Sequence, residues 1–445
     1  MLNRSIEKEI TQWIKKGKTA LLISGARQVG KTFIIRKCLS DCRVDHIELN
    51  LLENPDYTKA FSVSNNIDEL KMNVSLVSGI SPTENKTIIF IDEIQEYPDI
   101  ITKIKFWVDD GRYRFIMSGS LLGIELKDIR SAPVGYMDEL QMYPLDFVEF
   151  LFACGVEADI VSYMQVHFKS REALSEVVHD KMMDYFRRYL VVGGMPQVVN
   201  SYVENGDMNE VSRIQKNIIT QYKRDFTKYE KEEKKLYLKK IYDLIPTELL
   251  KQNKRFNYAD IKKGLKFERS EDSFLWLIKA GVALPCYNSS EPRLSLKQNE
   301  KSNLFKMYLS DVGLLTGVYG NSTKFAVLNG DESVNYGGIY ENYVAMELYK
   351  NGFDLFYYKS RKLGELDFII EHLNRVLPIE VKSGKDYYIH SAINNVLNIK
   401  DFGIKDAFIF TNYNISTDKD RTYYPIYMCT FLKDDTVLPI LDPKI

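Results

Sequence analysis

Two rhythms of apolar and polar positions run along the chain. In its first third, apolar runs at Thr19–Ser24 and Thr87–Ile91 and a third strand at Tyr113–Ser120 alternate with segments that are apolar at every third or fourth position. Continuous runs suit strands buried on both faces. Helically spaced segments between them make a mainly parallel α/β sheet. This spacing predicts helices over Ser5–Lys16 and Ile100–Asp109. From Pro144 to Lys235 the rhythm is helical, over Phe147–Phe152, Ser170–Val192 and Glu210–Asp225, with a sharp turn at Val191-Val-Gly-Gly-Met-Pro196. Such a segment after an α/β core suits a lid or an ordinary helical bundle, and periodicity does not separate the two. Short helices and then alternating segments up to Leu315 predict a winged-helix domain. Strands at Leu355–Lys359, Gly364–Ile370 and Val376–Ser383, a helix near Ala392–Ile399 and a strand at Ala407–Thr411 follow.

The turn after the first apolar run carries the sharpest chemistry. Gly25-Ala26-Arg27-Gln28-Val29-Gly30-Lys31-Thr32, followed by Phe33, has the spacing G-x-x-x-x-G-K-T. Backbone N–H groups of such a loop point inward around phosphate oxygens, and the helix that follows presents its positive end to them. Lys31 is expected to reach the β- and γ-phosphates of ATP, and Thr32 to offer its hydroxyl to Mg²⁺. Asp92 and Glu93 end the second apolar run. Strand ends of a parallel sheet face the ligand crevice, so Asp92 is expected in the Mg²⁺ shell and Glu93 as the base that polarises water.

A second constellation lies near the C-terminus. Asp367 precedes Glu380 by 13 positions, and Lys382 follows Glu380 by two. Positions i and i+2 of a strand share a face, so Glu380 and Lys382 can meet Asp367 from a neighbouring strand. Two carboxylates and a lysine are what metal-dependent phosphodiester cleavage uses, with Asp367 and Glu380 as metal ligands, Lys382 orienting water, and Glu341 completing the shell from a helix.

Composition adds local detail only. The chain is 45% hydrophobic and 27% charged, with a net charge of −1, so a nucleic-acid surface has to be local. Residues 211–270 hold 17 Lys+Arg against 8 Asp+Glu, an excess of nine. Lys251, Lys254, Arg255, Lys262, Lys263 and Lys266 cluster on the expected winged helix, which points to DNA. The five scattered cysteines fit neither a disulfide framework nor a zinc site. No apolar run approaches about 18 residues, and the N-terminus is too polar for a signal peptide. The expected setting is cytoplasmic, without a membrane partner.

These motifs together resemble a family of bacterial and archaeal ATPases that join an AAA-type domain to a C-terminal domain of unknown function with a restriction-endonuclease-like fold. The resemblance is carried by Gly25–Thr32, Phe90–Gln95, Ser118-Gly119-Ser120, Tyr143–Phe150, Gly193–Pro196, Tyr308–Leu315 and Glu380-Val-Lys382. It implies four domains: a P-loop ATPase core at 1–148, a helical lid at 149–235, a winged-helix-like domain at 236–322 and a nuclease-like domain at 323–445. It also implies a sensor of the γ-phosphate at Ser118 or Ser120. Family members often carry Gly-Arg where this chain has Gly135-Tyr136. In an assembly of identical subunits, Arg112, Arg114 and Arg130 are the candidates to reach a neighbour's nucleotide. The implied function is a Mg²⁺-dependent ATPase whose nucleotide state repositions a DNA-binding, nuclease-like module. The alternative is an ATP-dependent switch with an inactive nuclease fold that binds DNA or a protein. A metabolic kinase fits less well, because acids after the second run suit water activation.

Overall fold

The computed structural model describes residues 2–120, 135–226 and 232–434. The chain forms two compact units, one of Met1–Pro144 with Lys279–Gly281, the other of Leu145–Ile278 with Val282–Ile445.

The first unit is built on a five-stranded parallel sheet. Its strands are β1 (Ala20–Gly25), β2 (His46–Asn50), β3 (Ile88–Asp92), β4 (Arg114–Gly119) and β5 (Met137–Met142), in the order β2-β3-β4-β1-β5. The inner strands β1 and β3 are buried at every position, whereas edge strands β2 and β5 are partly open. This is the burial that continuous and broken apolar runs demand. Leu22 and Ile91 both lie beside Met117, and this row joins Phe61, Trp107 and Phe115 in one core. Helices Glu7–Lys16 and Ile100–Asp110 form where the spacing places them.

The second unit begins with helices Phe147–Ala153, Ala158–Ser170, Glu176–Val192, Pro196–Asn205, Met208–Asp225 and Glu232–Leu250. The helix expected over Ser170–Val192 begins at Glu176, because Ser170 ends the helix before it. Arg171 adopts a left-handed φ of +61°, which ends the earlier helix and turns the chain before Ser175 caps the later one. The turn at Gly193-Gly194 is locked by a distant carboxylate. Asp311 accepts hydrogen bonds from Gly194 N at 2.6 Å and Leu314 N at 2.8 Å. A methyl group on Gly193 would overlap that carboxylate, and one on Gly194 would overlap the carbonyl of Leu145. Burial raises the Asp311 carboxyl to about 6.

Strands β6 (Ala283–Ser289), β7 (Glu300–Leu309), β8 (Phe356–Ser360), β9 (Gly364–His372), β10 (Arg375–Val381), β11 (Ala407–Thr411), β12 (Ser416–Asp418) and β13 (Arg421–Pro425) make one mixed sheet. Its order is β12-β13-β11-β10-β9-β8-β6-β7. The hairpin expected as a wing is therefore the outer part of the sheet that carries Asp367 and Glu380. Parallel pairing of Tyr287–Ser289 with Phe356–Tyr358 crosses the boundary expected between 322 and 323. The segments expected as lid, winged helix and nuclease-like domain share one compact unit, which starts at Leu145 rather than 149. Leu145 belongs there because its N–H reaches Gly194 O and its carbonyl accepts from Tyr189 Oη at 2.6 Å.

Candidate functional site

The phosphate loop leaves β1 at Gly25, whose φ of +143° and approach to the Met142 carbonyl admit no side chain. Ala26, Arg27, Gln28 and Val29 follow, with Gln28 in the left-handed region at φ +66°. Gly30, at φ +95°, caps helix Lys31–Asp41. Lys31 Nζ turns back onto its own loop and donates to Gly25 O at 3.0 Å and Ala26 O at 2.8 Å. The residue is half-buried as a whole, but its ammonium is enclosed, and burial lowers its pKa from 10.5 to about 8 against the pull of Glu93 and Asp92. Phe33, one position past Thr32, is exposed.

Thr32 Oγ1 lies 3.2 and 3.0 Å from the two oxygens of Asp92. Asn50, at the end of β2, donates to Asp92 Oδ2 at 3.1 Å. Ser118 donates to the other oxygen. Burial raises the Asp92 carboxyl, while the Ser118 and Thr32 hydrogen bonds lower it. A hydroxyl facing one carboxylate fits Mg²⁺, which takes few protein oxygens and completes its shell with water and phosphate. Among the described residues no cluster of three His, Cys, Asp or Glu could hold a metal by itself.

Glu93 sits at φ +59°, a left-handed conformation that turns its side chain out of the strand, and it accepts from Gln95 Nε2. Gln95 Oε1 in turn accepts from Ser120 N at 3.3 Å. Gln95 thus ties the expected base to the end of β4. Of the two serines expected as sensors, Ser118 is spent on Asp92. Ser120 Oγ is buried with no hydrogen-bond partner among the described residues. Two of the three arginines are used inside the unit: Arg112 binds Asp110 at 2.7 Å and Asp68 at 2.6 Å, and Arg114 donates to Ile14 O. Arg130 lies outside the described residues. Tyr136 lies under Lys105 Nζ, 5.2 Å from its ring centre.

In the second unit the expected acids do converge. β9 and β10 pair with Ile379 opposite Phe368, so Asp367 and Glu380 are next in register, and Val381 N donates to Asp367 Oδ2 at 2.9 Å. Lys382 Nζ lies 2.9 Å from Glu380 Oε1. Burial, with Glu341 and Glu380 nearby, pushes the Asp367 carboxyl well above the carboxylate range. Burial also raises Glu380. Glu341, on helix Tyr336–Lys350, departs from the metal-ligand expectation. Lys254 binds its Oε1, while Tyr308 Oη donates to Oε2 at 3.1 Å and Lys306 Nζ stands 3.8 Å from it. Lys306 is 1% exposed and also meets Glu365 at 3.0 Å, and Lys359 holds the other Glu365 oxygen at 2.6 Å. Four carboxylates thus face four ammonium groups. Ammonium groups hold Glu341 and Glu380, and a backbone N–H holds Asp367, so these three acids as arranged do not fit a divalent ion.

The basic cluster is likewise partly committed. Lys254 points inward to Glu341, and Lys251 binds Glu248 and Asp260, both at 2.6 Å. Arg255, Lys262, Lys263 and Lys266 are exposed. Sequence reasoning missed Asn50, Lys306 and Glu365. Only Asn50 carries a signal, a polar residue ending a parallel strand beside Asp92.

Residues 17–151 match the family described as an AAA domain, so the first unit is an AAA-type P-loop domain. Residues 183–324 and 336–429 match two domains of unknown function, DUF8612 and DUF4143. A comparison with curated proteins finds no match. Among solved structures, the Walker-type ATPase PABY2304 of Pyrococcus abyssi is 14% identical with a TM-score of 0.44, over 72% of this chain and 96% of that one. The Aeropyrum pernix ORC1 protein in complex with DNA is 13% identical with a TM-score of 0.28, over 72% and 92%. No helix among the described residues is long and apolar enough to cross a membrane.

Proposed function

We propose that the chain binds ATP with Mg²⁺ on the Gly25–Thr32 loop and hydrolyses it, and that its nucleotide state governs the second unit. The observation that supports this most is the meeting of Thr32 and Asp92 at the mouth of the phosphate loop. Mg²⁺, when bound there, neutralises phosphate charge. Lys31 leaves its loop carbonyls for the β- and γ-phosphates, the loop N–H groups orient them, and Glu93 takes a proton from water once Gln95 releases or redirects it. Ser120, with an unused buried hydroxyl, is better suited than Ser118 to sense the γ-phosphate. Mg-ATP affinity measured on the wild type and on Lys31→Ala tests the reading; equal affinities would remove it.

For the second unit, the pairing of Lys254 and Lys306 with Glu341 favours a switch that binds DNA or a protein over an enzyme that cuts. The exposed Arg255, Lys262, Lys263 and Lys266 support DNA as that ligand.

A further inference from the structure

The second unit holds a cavity of about 690 Å³ whose lining includes none of Glu341, Asp367, Glu380 and Lys382. Its volume is that of a small-molecule site. Topology puts it there. β10 and β11 run parallel, and residues just past their carboxyl ends, Ser383 and Lys385 after one, Asn412 and Tyr413 after the other, enter the lining. Carboxyl ends of adjacent parallel strands are where open sheets leave a crevice. Helix Glu176–Val192 contributes one wall through His179, Asp180, Asp184 and Arg187, which share a face at helical spacing.

The donors of this lining are committed. Arg187 Nη1 binds Asp184 at 2.8 Å, Lys385 Nζ binds Glu332 at 3.1 Å, and Asn412 Nδ2 donates to Ser383 O at 3.1 Å. His179 has both ring nitrogens engaged, by Tyr427 Oη at 3.0 Å and Asn412 O at 3.1 Å, and burial lowers its pKa, so it adds no charge. Acceptors are left over. Asn412 Oδ1 and Tyr336 Oη are buried with no hydrogen-bond partner among the described residues, and Tyr336 is 8% exposed. Asp180 is exposed and makes no ion pair among the described residues. Asp180, Asp184 and Glu332 stand against Arg187 and Lys385, which leaves one negative charge in excess. The Lys385–Glu332 pair is almost fully in water, where such a pair is worth little and exchanges readily. The rings of Tyr336 and Tyr340 lie 5.1 Å apart, and Tyr413 stacks on Tyr387 at 4.2 Å.

We propose that this cavity binds a small organic cation that carries several N–H donors, an ammonium or guanidinium compound. Carboxylates, an amide oxygen, a phenol oxygen and aromatic faces all suit such a ligand. A phosphate would have to take Arg187 and Lys385 from their carboxylates. A metal ion is served no better, since among the described residues no three His, Cys, Asp or Glu are placed to hold one. An extended cation can reach acids that stand apart. The inference is independent of ATP binding at Lys31 and of DNA binding at Arg255 and its neighbours.

The test is calorimetric titration of the full chain, without nucleotide, with spermidine and with N-acetyl-arginine amide. A diffusible polyamine and an arginine side chain offer the same chemistry from different sources, and the tighter ligand identifies the source. Saturable binding of at least one is expected. Asp180→Asn and Tyr336→Phe should each weaken it at least about tenfold, since each removes an acceptor for a charged donor. Glu204→Gln, at an exposed acid of helix Pro196–Asn205, should leave it unchanged, which separates the cavity from general attraction of cations to the surface. Absence of saturable binding for both ligands would overturn the proposal. So would binding that neither cavity variant weakens, or that Asp180→Asn and Glu204→Gln change alike. Asp180 is exposed, so its variant decides even if Tyr336→Phe folds poorly.

Discussion

Binding of Mg-ATP should be accompanied by proton uptake, and the amount should depend on pH in a way set by Lys31. Its ammonium donates to two loop carbonyls, and burial lowers its pKa to about 8. At pH 8 about half of the nucleotide-free chains therefore carry it uncharged. A triphosphate on the loop places negative charge beside the amine and returns its pKa toward the ordinary value. The bound form holds more protons than the free form, so the sign is uptake. Its size is about half a proton at pH 8 and about a tenth at pH 7. Apparent affinity should be level below pH 8 and fall about tenfold for each unit above it. Calorimetry in two buffers of different ionisation enthalpy reads the proton number directly. Lys31→Met should lose the uptake together with most of the affinity. Proton release, or equal uptake at pH 7 and pH 8, would refute the reasoning.

Glu93→Gln should hold ATP with near wild-type affinity and lower turnover by about 10²-fold or more, measured as phosphate release, since the geometry survives and the base does not; wild-type turnover would rule Glu93 out. Asp311, at about 6 in the fold against an ordinary 3.8, contributes stability that is complete below pH 3.8 and lost as pH rises through 6. The wild type should gain about 1.3 kcal/mol from this group at pH 5 relative to pH 7. Urea titrations of Asp311→Asn at the two pH values should show that difference gone, and an unchanged difference would place its source elsewhere. Charge reversal at Arg255, Lys263 and Lys266 should flatten the salt dependence of DNA binding by about 0.9 in log–log slope per lost contact. Parallel slopes would assign these residues to solubility.

The parts of the molecule that were legible in the sequence are those written locally. A phosphate loop is eight consecutive residues between a strand and a helix, so glycine spacing and an apolar run suffice to find it. β1 and β3 announce themselves as apolar runs because both their faces are covered. The convergence of Asp367, Glu380 and Lys382 was legible because strand periodicity and a tight β9–β10 hairpin leave little choice. The partners of those acids were not. Lys254 and Glu341 are 87 positions apart, and a lysine bound for a buried carboxylate looks in sequence like any member of a basic run. The same holds for Arg112 and Arg114, which look free until Asp68 and the Ile14 carbonyl are brought to them. The place of the expected wing in a larger sheet was hidden for a related reason. A hairpin's own residues do not reveal whether its outer edge stays open or meets another strand.

That hairpin has a consequence for dissection. The two stretches of unknown function meet between 324 and 336, yet a single sheet runs across the junction from β6 to β8. Neither stretch holds the whole sheet. A fragment beginning at 323 would leave β8 as a bare edge, with Phe356 and Tyr358, now 3% and 6% exposed, beside a row of unpaired backbone groups. Such an edge recruits other chains and aggregates. It would also lack Lys306, so Glu341 and Glu365 would keep their charges without the cation that sits between them. A fragment of this half of the protein that keeps β8 paired and Glu341 compensated therefore begins before β6.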